Sequence, residues 1–231
     1  MRRTSPTRRW APVALLALLA QPAAALTIAF DAPFGTEGNQ AFEGVLAMDF
    51  EVLAPITVLE LGAFDSRGDG IGGPVTVELW RRSGSTALAR LAALDIAGGG
   101  LLRGGHRFRV IDPLPLDLGQ YSVVAYGFDE DDPNGNADGF GDFPGDFPWT
   151  LNDGDGALLF TASRFGGVPG DSIGAIPDST MPPNKYAAGT FAYELARGDP
   201  PTPVPLPASA VLLLGAACAL LTSRRRNRAA P

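Results

Sequence analysis

The chain has 231 residues and a formal net charge of −7, with the charge unevenly spread. Eight of its 18 basic residues lie at the ends (Arg2, Arg3, Arg8 and Arg9, then Arg224, Arg225, Arg226 and Arg228), whereas all 25 acidic residues fall between Asp31 and Asp199. The middle therefore sets ten basic residues against 25 acids, about −15, a field that repels phosphate backbones and excludes nucleic acid as a partner.

Taken from the start, a basic stretch ending at Arg9 precedes an apolar run over residues 11–20. The small residues Ala23, Ala24 and Ala25 follow, the three-part pattern of a secretory signal with cleavage near Ala25. The competing reading is a membrane anchor, for which the uninterrupted apolar run falls short of the roughly 20 residues a span needs. The single cysteine, Cys218, sits in the C-terminal apolar run, so residues 26–199 can hold neither a disulfide nor a thiolate metal site. Their stability has to come from a core, and their length suits one domain.

From there the apolar residues keep a period of two. Leu46, Met48, Phe50 and Val52 alternate with Ala47, Asp49 and Glu51; Val75, Val77 and Leu79 alternate with Thr76, Glu78 and Trp80. Similar runs cover residues 56–64, 88–96, 106–111, 121–128, 157–164 and 189–195, about eight strands in all. Clusters such as Gly68-Asp69-Gly70, Gly98-Gly99-Gly100 and Pro113-Leu114-Pro115 separate them, supplying positive φ or fixing φ near −65°. Short strands without a βαβ rhythm predict an all-β, antiparallel β-sandwich, jelly-roll-like. The expected core holds Phe50, Val58, Leu61, Val77, Leu79, Phe108, Val110, Val123 and Phe191.

Two features inside this series bear on chemistry. Asp65 and Asp69, in Asp65-Ser66-Arg67-Gly68-Asp69-Gly70, read first as a turn with side chains bonding to local backbone, and second as calcium ligands, with Arg67 sitting awkwardly among them. His106, the only histidine, alternates with Phe108 and Val110 and reads as a buried structural residue. No Gly-x-Ser-x-Gly elbow accompanies it, so a Ser/His/Asp triad has no local context.

Residues 129–156 interrupt the strands, and a loop that long is usually functional or disordered. Within DEDDPNGNADGFGD, residues 129–142, Asn134, Asn136 and Asp138 place oxygens at every second position, Gly139 permits a sharp turn, and Asp142 follows. Hard cations ask for such converging oxygens. The run resembles the first nine positions of the calcium loops of EF-hand, dockerin and thrombospondin type 3 repeats, with Asn134 first and Gly145 where the bidentate Glu falls. That resemblance implies a weak calcium site completed by a nearby carboxylate such as Asp132; the alternative is a solvated acidic loop. Beyond it Phe140, Phe143, Phe147 and Trp149 alternate with Asp142 and Asp146. Rings beside carboxylates suit a sugar site if exposed, with Trp149, Phe143 and Phe147 as its platform; turned inward, they pin the loop to the sandwich.

The chain closes with a proline-rich linker from residue 200, the pentad Val204-Pro205-Leu206-Pro207-Ala208, an apolar run to Thr222, and Arg224-Arg225-Arg226. As a helix the apolar run reaches about 22 Å, a marginal transmembrane span whose arginines stay cytoplasmic. This order resembles the PEP-CTERM sorting signals of Gram-negative bacteria, in the variant with VPLPA; the more widespread form has Glu at the position of Leu206. The resemblance implies processing near the pentad by an exosortase, a membrane cysteine protease, and transfer to the cell surface or extracellular matrix. The competing reading is a permanent tail anchor on a stiff proline spacer. The segments at residues 61–65 and 182–191 are similar to parts of uncharacterised domains that precede such signals, which carry no assigned activity.

The resulting expectation has three parts: a signal peptide at 1–25, an exported β-sandwich at 26–199, and a sorting signal at 200–231. Such a protein is expected to be a non-enzymatic structural or binding component of the cell envelope or polysaccharide matrix, with Ca2+ as a candidate stabiliser. Its expected partners are an exosortase-type protease, extracellular polysaccharide and, transiently, the inner membrane. The alternative is a carbohydrate-binding module acting through residues 140–149.

Overall fold

The structure, a computed structural model, describes residues 26–137, 149–167 and 181–196. The predicted signal peptide, the sorting tail and residues 138–148 lie outside them. Strands are numbered in chain order. One antiparallel sheet runs in space β1 (Thr27–Ile28), β14 (Gly189–Leu195), β4 (Ile56–Phe64), β8 (His106–Leu116) and β7 (Leu101–Arg103). The other runs β12 (Leu158–Gly166), β3 (Val45–Val52), β9 (Gly119–Tyr126), β5 (Val75–Ser83) and β6 (Thr86–Ile96). Two short pairs complete the framework: β2 (Phe30–Asp31) with β11 (Thr150–Leu151), and β10 (Gly135–Asn136) with β13 (Tyr186–Ala187). A single 3-10 turn, Ser66–Gly68, is the one helical segment among the described residues. The fold is all-β, antiparallel and sandwich-like, and each of the eight expected strands is present.

Alternation along the strands builds the core. Leu46, Met48, Phe50 and Val52 of β3 are buried with Val123 of β9 and Val77 and Leu79 of β5. Facing them from the first sheet are Val58 and Leu61 of β4 and Phe191 of β14. The rings of Phe50 and Phe191 lie 4.9 Å apart across the gap, tilted by 33°. Burying one such side chain contributes on the order of 2–3 kcal/mol.

The other side of the β12–β3–β9–β5–β6 sheet is polar yet closely packed. Asp49, opposite Ser122 in the β3–β9 register, accepts from the Ser122 hydroxyl and from Arg164 Nε at 2.5 Å. Arg82 Nε lies 3.5 Å from the same carboxylate and donates to the Tyr121 carbonyl at 3.0 Å. One pleat away, Glu78 accepts from Trp80 Nε1 at 2.7 Å and Arg90 at 2.8 Å. Trp80 thus lies half-buried on the outer side, with Arg90 over its ring at 6.0 Å.

Strand β8 departs from expectation in phase. Phe108 is buried, but its ring packs on Gly62 under the guanidinium of Arg103, 4.4 Å away, outside the main core cluster, and Val110 is 76% exposed. The opposite set contributes instead: Arg107 reaches Asp65, Arg109 donates to the Asp95 carbonyl of β6 at 2.8 Å, and Ile111 packs on the core. The register slips between Val58 and Glu60 of β4 against β8, and Arg109 at this edge ties the two sheets together along one side.

Candidate functional site

At one end of the sandwich the segment leading into β3 meets β10. Gln40 and Asn134 exchange backbone bonds, Asn134 N–H to Gln40 O at 2.8 Å and Gln40 N–H to Asn134 O at 3.0 Å. Asn134 and Asn136 lie two residues apart on an extended segment, so their side chains share a face. Both carboxamide nitrogens donate to Gln40 Oε1, at 3.2 and 3.1 Å. Asn134 Oδ1 accepts the Phe42 N–H at 3.3 Å, and Asn39 bonds the backbone of Asn136 in both directions, at 2.7 and 2.9 Å. β10 fits here because Gly135 has no side chain: a Cβ there would stand 2.6 Å from the Trp149 ring and 2.9 Å from Ala187.

This amide lattice forms one wall of a half-open cavity of about 250 Å³ lined by Gln40, Phe42, Leu46, Asn136, Phe165, Met181 and Tyr186. Phe165 sits in the middle of its aromatic wall, 6.4 Å from Phe42 at 75° and 6.2 Å from Tyr186 at 66°. Tyr186 is only 8% exposed, and burial raises the pKa of its phenol. Its hydroxyl and the Gln40 carboxamide nitrogen have no hydrogen-bond partner among the described residues. Among the described residues the lining carries no carboxylate and no cation.

The residues singled out for calcium are differently engaged. Asn134 and Asn136 come together, but around Gln40. Asp132 Oδ2 takes the N–H groups of Gly72 and Gly73, at 2.8 and 3.1 Å, and so docks the residue 71–73 loop. Asp65 accepts from Gly70 N–H at 3.1 Å and forms a two-point ion pair with Arg107, Nη2 at 2.6 Å and Nε at 2.8 Å. Asp69 is exposed at the end of that turn. Among the described residues no three His, Cys, Asp or Glu side chains converge as a cation cage. Asp138 and Asp142 lie outside the described residues, as do Phe143 and Phe147.

Trp149 is 6% exposed and stands edge-on to Phe30, 5.7 Å away, in the core rather than at a surface where a stacking platform would need it. Its ring pins the end of the loop, as glycine-rich connections require. Val204, Pro205, Leu206, Pro207, Ala208 and Arg224 to Arg226 are outside the described residues. Among the described residues no helix is long and apolar enough to cross a membrane. Gln40, Phe42, Phe165 and Tyr186 gave no sequence signal, because residues 42, 165 and 186 are joined only by the fold.

The scaffold and cavity define a β-sandwich protein with a small neutral pocket at one end. No family model, curated protein or solved structure matches this chain.

Proposed function

We propose that the chain is an exported, surface-sorted, non-enzymatic structural or binding protein of the cell envelope or extracellular polysaccharide matrix. Counting β1, β3, β4, β5, β6, β8, β9 and β14 as one to eight, the sheets run 1-8-3-6 and 2-7-4-5, with β12 and β7 added at edges. We read this order as a jelly roll, a scaffold built from two Greek keys.

The observation that carries the structural half of the proposal is how the buried charges are used. Asp49 joins β3 to β12 through Arg164, Asp65 joins a turn to β8 through Arg107, and Glu78 joins β5 to β6 through Arg90. These carboxylates act as staples between strands. Removing one partner of the buried Asp49–Arg164 or Asp65–Arg107 pair costs about 3–5 kcal/mol, and less is lost with the half-exposed Arg90, so this chemistry is committed to holding the domain together. Divalent cations enter as cross-links between the acidic surface and anionic matrix polymers.

The address half rests on the basic and apolar pattern at both ends of the sequence and on the VPLPA pentad. An epitope tag added after Pro231 is expected to be lost from the surface-exposed product while an epitope within residues 26–199 is kept. Retention of both tags on one membrane-bound chain makes the tail an anchor and defeats the sorting proposal.

A further inference from the structure

We infer that the cavity between Phe42, Phe165 and Tyr186 is a binding site for one neutral sugar residue. This deepens the matrix reading by naming a ligand class, yet its chemistry is independent of how the protein is exported.

Polarity sets the first limit. A charged group entering this cavity loses hydration and finds no counter-charge on Gln40, Phe42, Leu46, Asn136, Phe165, Met181 or Tyr186. The surrounding domain, at about −15, adds repulsion toward uronic acids and other anions.

The second limit is the donor set. A tyrosine whose ring is buried while its hydroxyl still reaches solvent presents an apolar body and a polar tip to a ligand. Tyr186 is more than nine-tenths buried, and its hydroxyl has no partner among the described residues. Gln40 Oε1 is occupied by two asparagine donors, which leaves both N–H bonds of its Nε2 without a partner among the described residues on a side chain that lines the cavity. Two amide hydrogens and one hydroxyl that both gives and accepts match the vicinal hydroxyls of a sugar ring.

Shape supplies the third. The rings stand at 75° and 66° to one another, so no flat aromatic ligand can stack on all three, whereas a puckered ring can set C–H groups against each. At about 250 Å³ the cavity is below the roughly 300–1,000 Å³ of sites for larger ligands, which confines it to a single ring of a chain or its end.

Saturation-transfer NMR on the full chain, with glucose, galactose, mannose, N-acetylglucosamine and glucuronate as probes, tests the inference. At least one neutral sugar is expected to bind with a dissociation constant on the order of millimolar, with glucuronate at least tenfold weaker. Tyr186→Phe, which keeps the ring and removes the hydroxyl, is expected to weaken binding about tenfold at an unchanged melting temperature. Phe165→Leu, at a partly exposed ring, is expected to weaken it as well while the domain stays folded. Absence of binding by all four neutral sugars, equal binding of glucuronate, or unchanged affinity in folded Tyr186→Phe overturns it. None of these outcomes alters the fate of a C-terminal tag, so the ligand and the sorting proposal fail separately.

Discussion

His106 shows most plainly what one side chain contributes. It is fully buried, with Phe30 at 5.6 Å and Phe64 at 5.7 Å, both edge-on, and neither ring nitrogen has a hydrogen-bond partner among the described residues. Burial lowers its pKa; the opposing pull of Asp31 is the smaller effect because Nδ1 and Oδ1 are 3.8 Å apart, beyond hydrogen-bond reach, and Asp65 adds less still. The folded pKa therefore lies below the unfolded value of about 6.5, and the unfolded chain binds the extra proton first. Stability tied to this residue is fully present above about pH 6.5 and is lost as pH falls toward the depressed folded pKa. Melting curves between pH 7.5 and 5.5 should show a falling midpoint in the native protein and a flatter one in His106→Phe. Parallel slopes in the two would remove His106 from the acid response. Alternation with Phe108 and Val110 pointed to a buried residue, and His106 is buried although Val110 on the same side is exposed; the sequence did not show that its ring nitrogens go unpaired.

At the scale of elements, periodicity disclosed the strands but not their phase. Leu46 to Val52 turn the expected side inward because Asp49 and Glu51 cannot enter an apolar core unpaired. In β8 both sides offered plausible burial: Phe108 found shelter against Gly62 and beneath Arg103, and the arginines found Asp65 and the Asp95 carbonyl. Alternation separates two faces without saying which one the second sheet will cover. The same holds at Asn134 and Asn136, whose two-residue spacing does bring their side chains together, around Gln40, a partner nearly a hundred positions away. The strands of two residues were invisible because tertiary pairing, not local preference, makes them. Gly135 is where that pairing is most constrained. Gly135→Ala should displace Trp149 or Ala187 and lower stability by about 1–3 kcal/mol, read as a reduced denaturant midpoint at unchanged slope. A midpoint equal to that of the native protein would mean that β10 has room to move.

Taken whole, the molecule combines a cysteine-free, ion-stapled sandwich with termini of opposite character to its middle. Without a disulfide, the described domain relies on two facing sheets and on buried pairs such as Asp49 with Arg164, a solution independent of redox conditions. Removing both basic ends would leave a strongly acidic product, suited to staying soluble and to meeting matrix polymers through neutral groups or bridging cations. The all-β class was legible in the sequence because it follows from strand and turn patterns repeated many times. The pocket was not, because it is assembled once, from residues that only the folded chain brings together. The most direct measurement is the intact mass of the protein recovered from the cell surface. The sorting proposal requires a chain beginning near Leu26 and ending close to the Val204–Ala208 pentad, lacking Cys218 and all eight terminal arginines. A surface product whose mass includes residues 209–231 would contradict it.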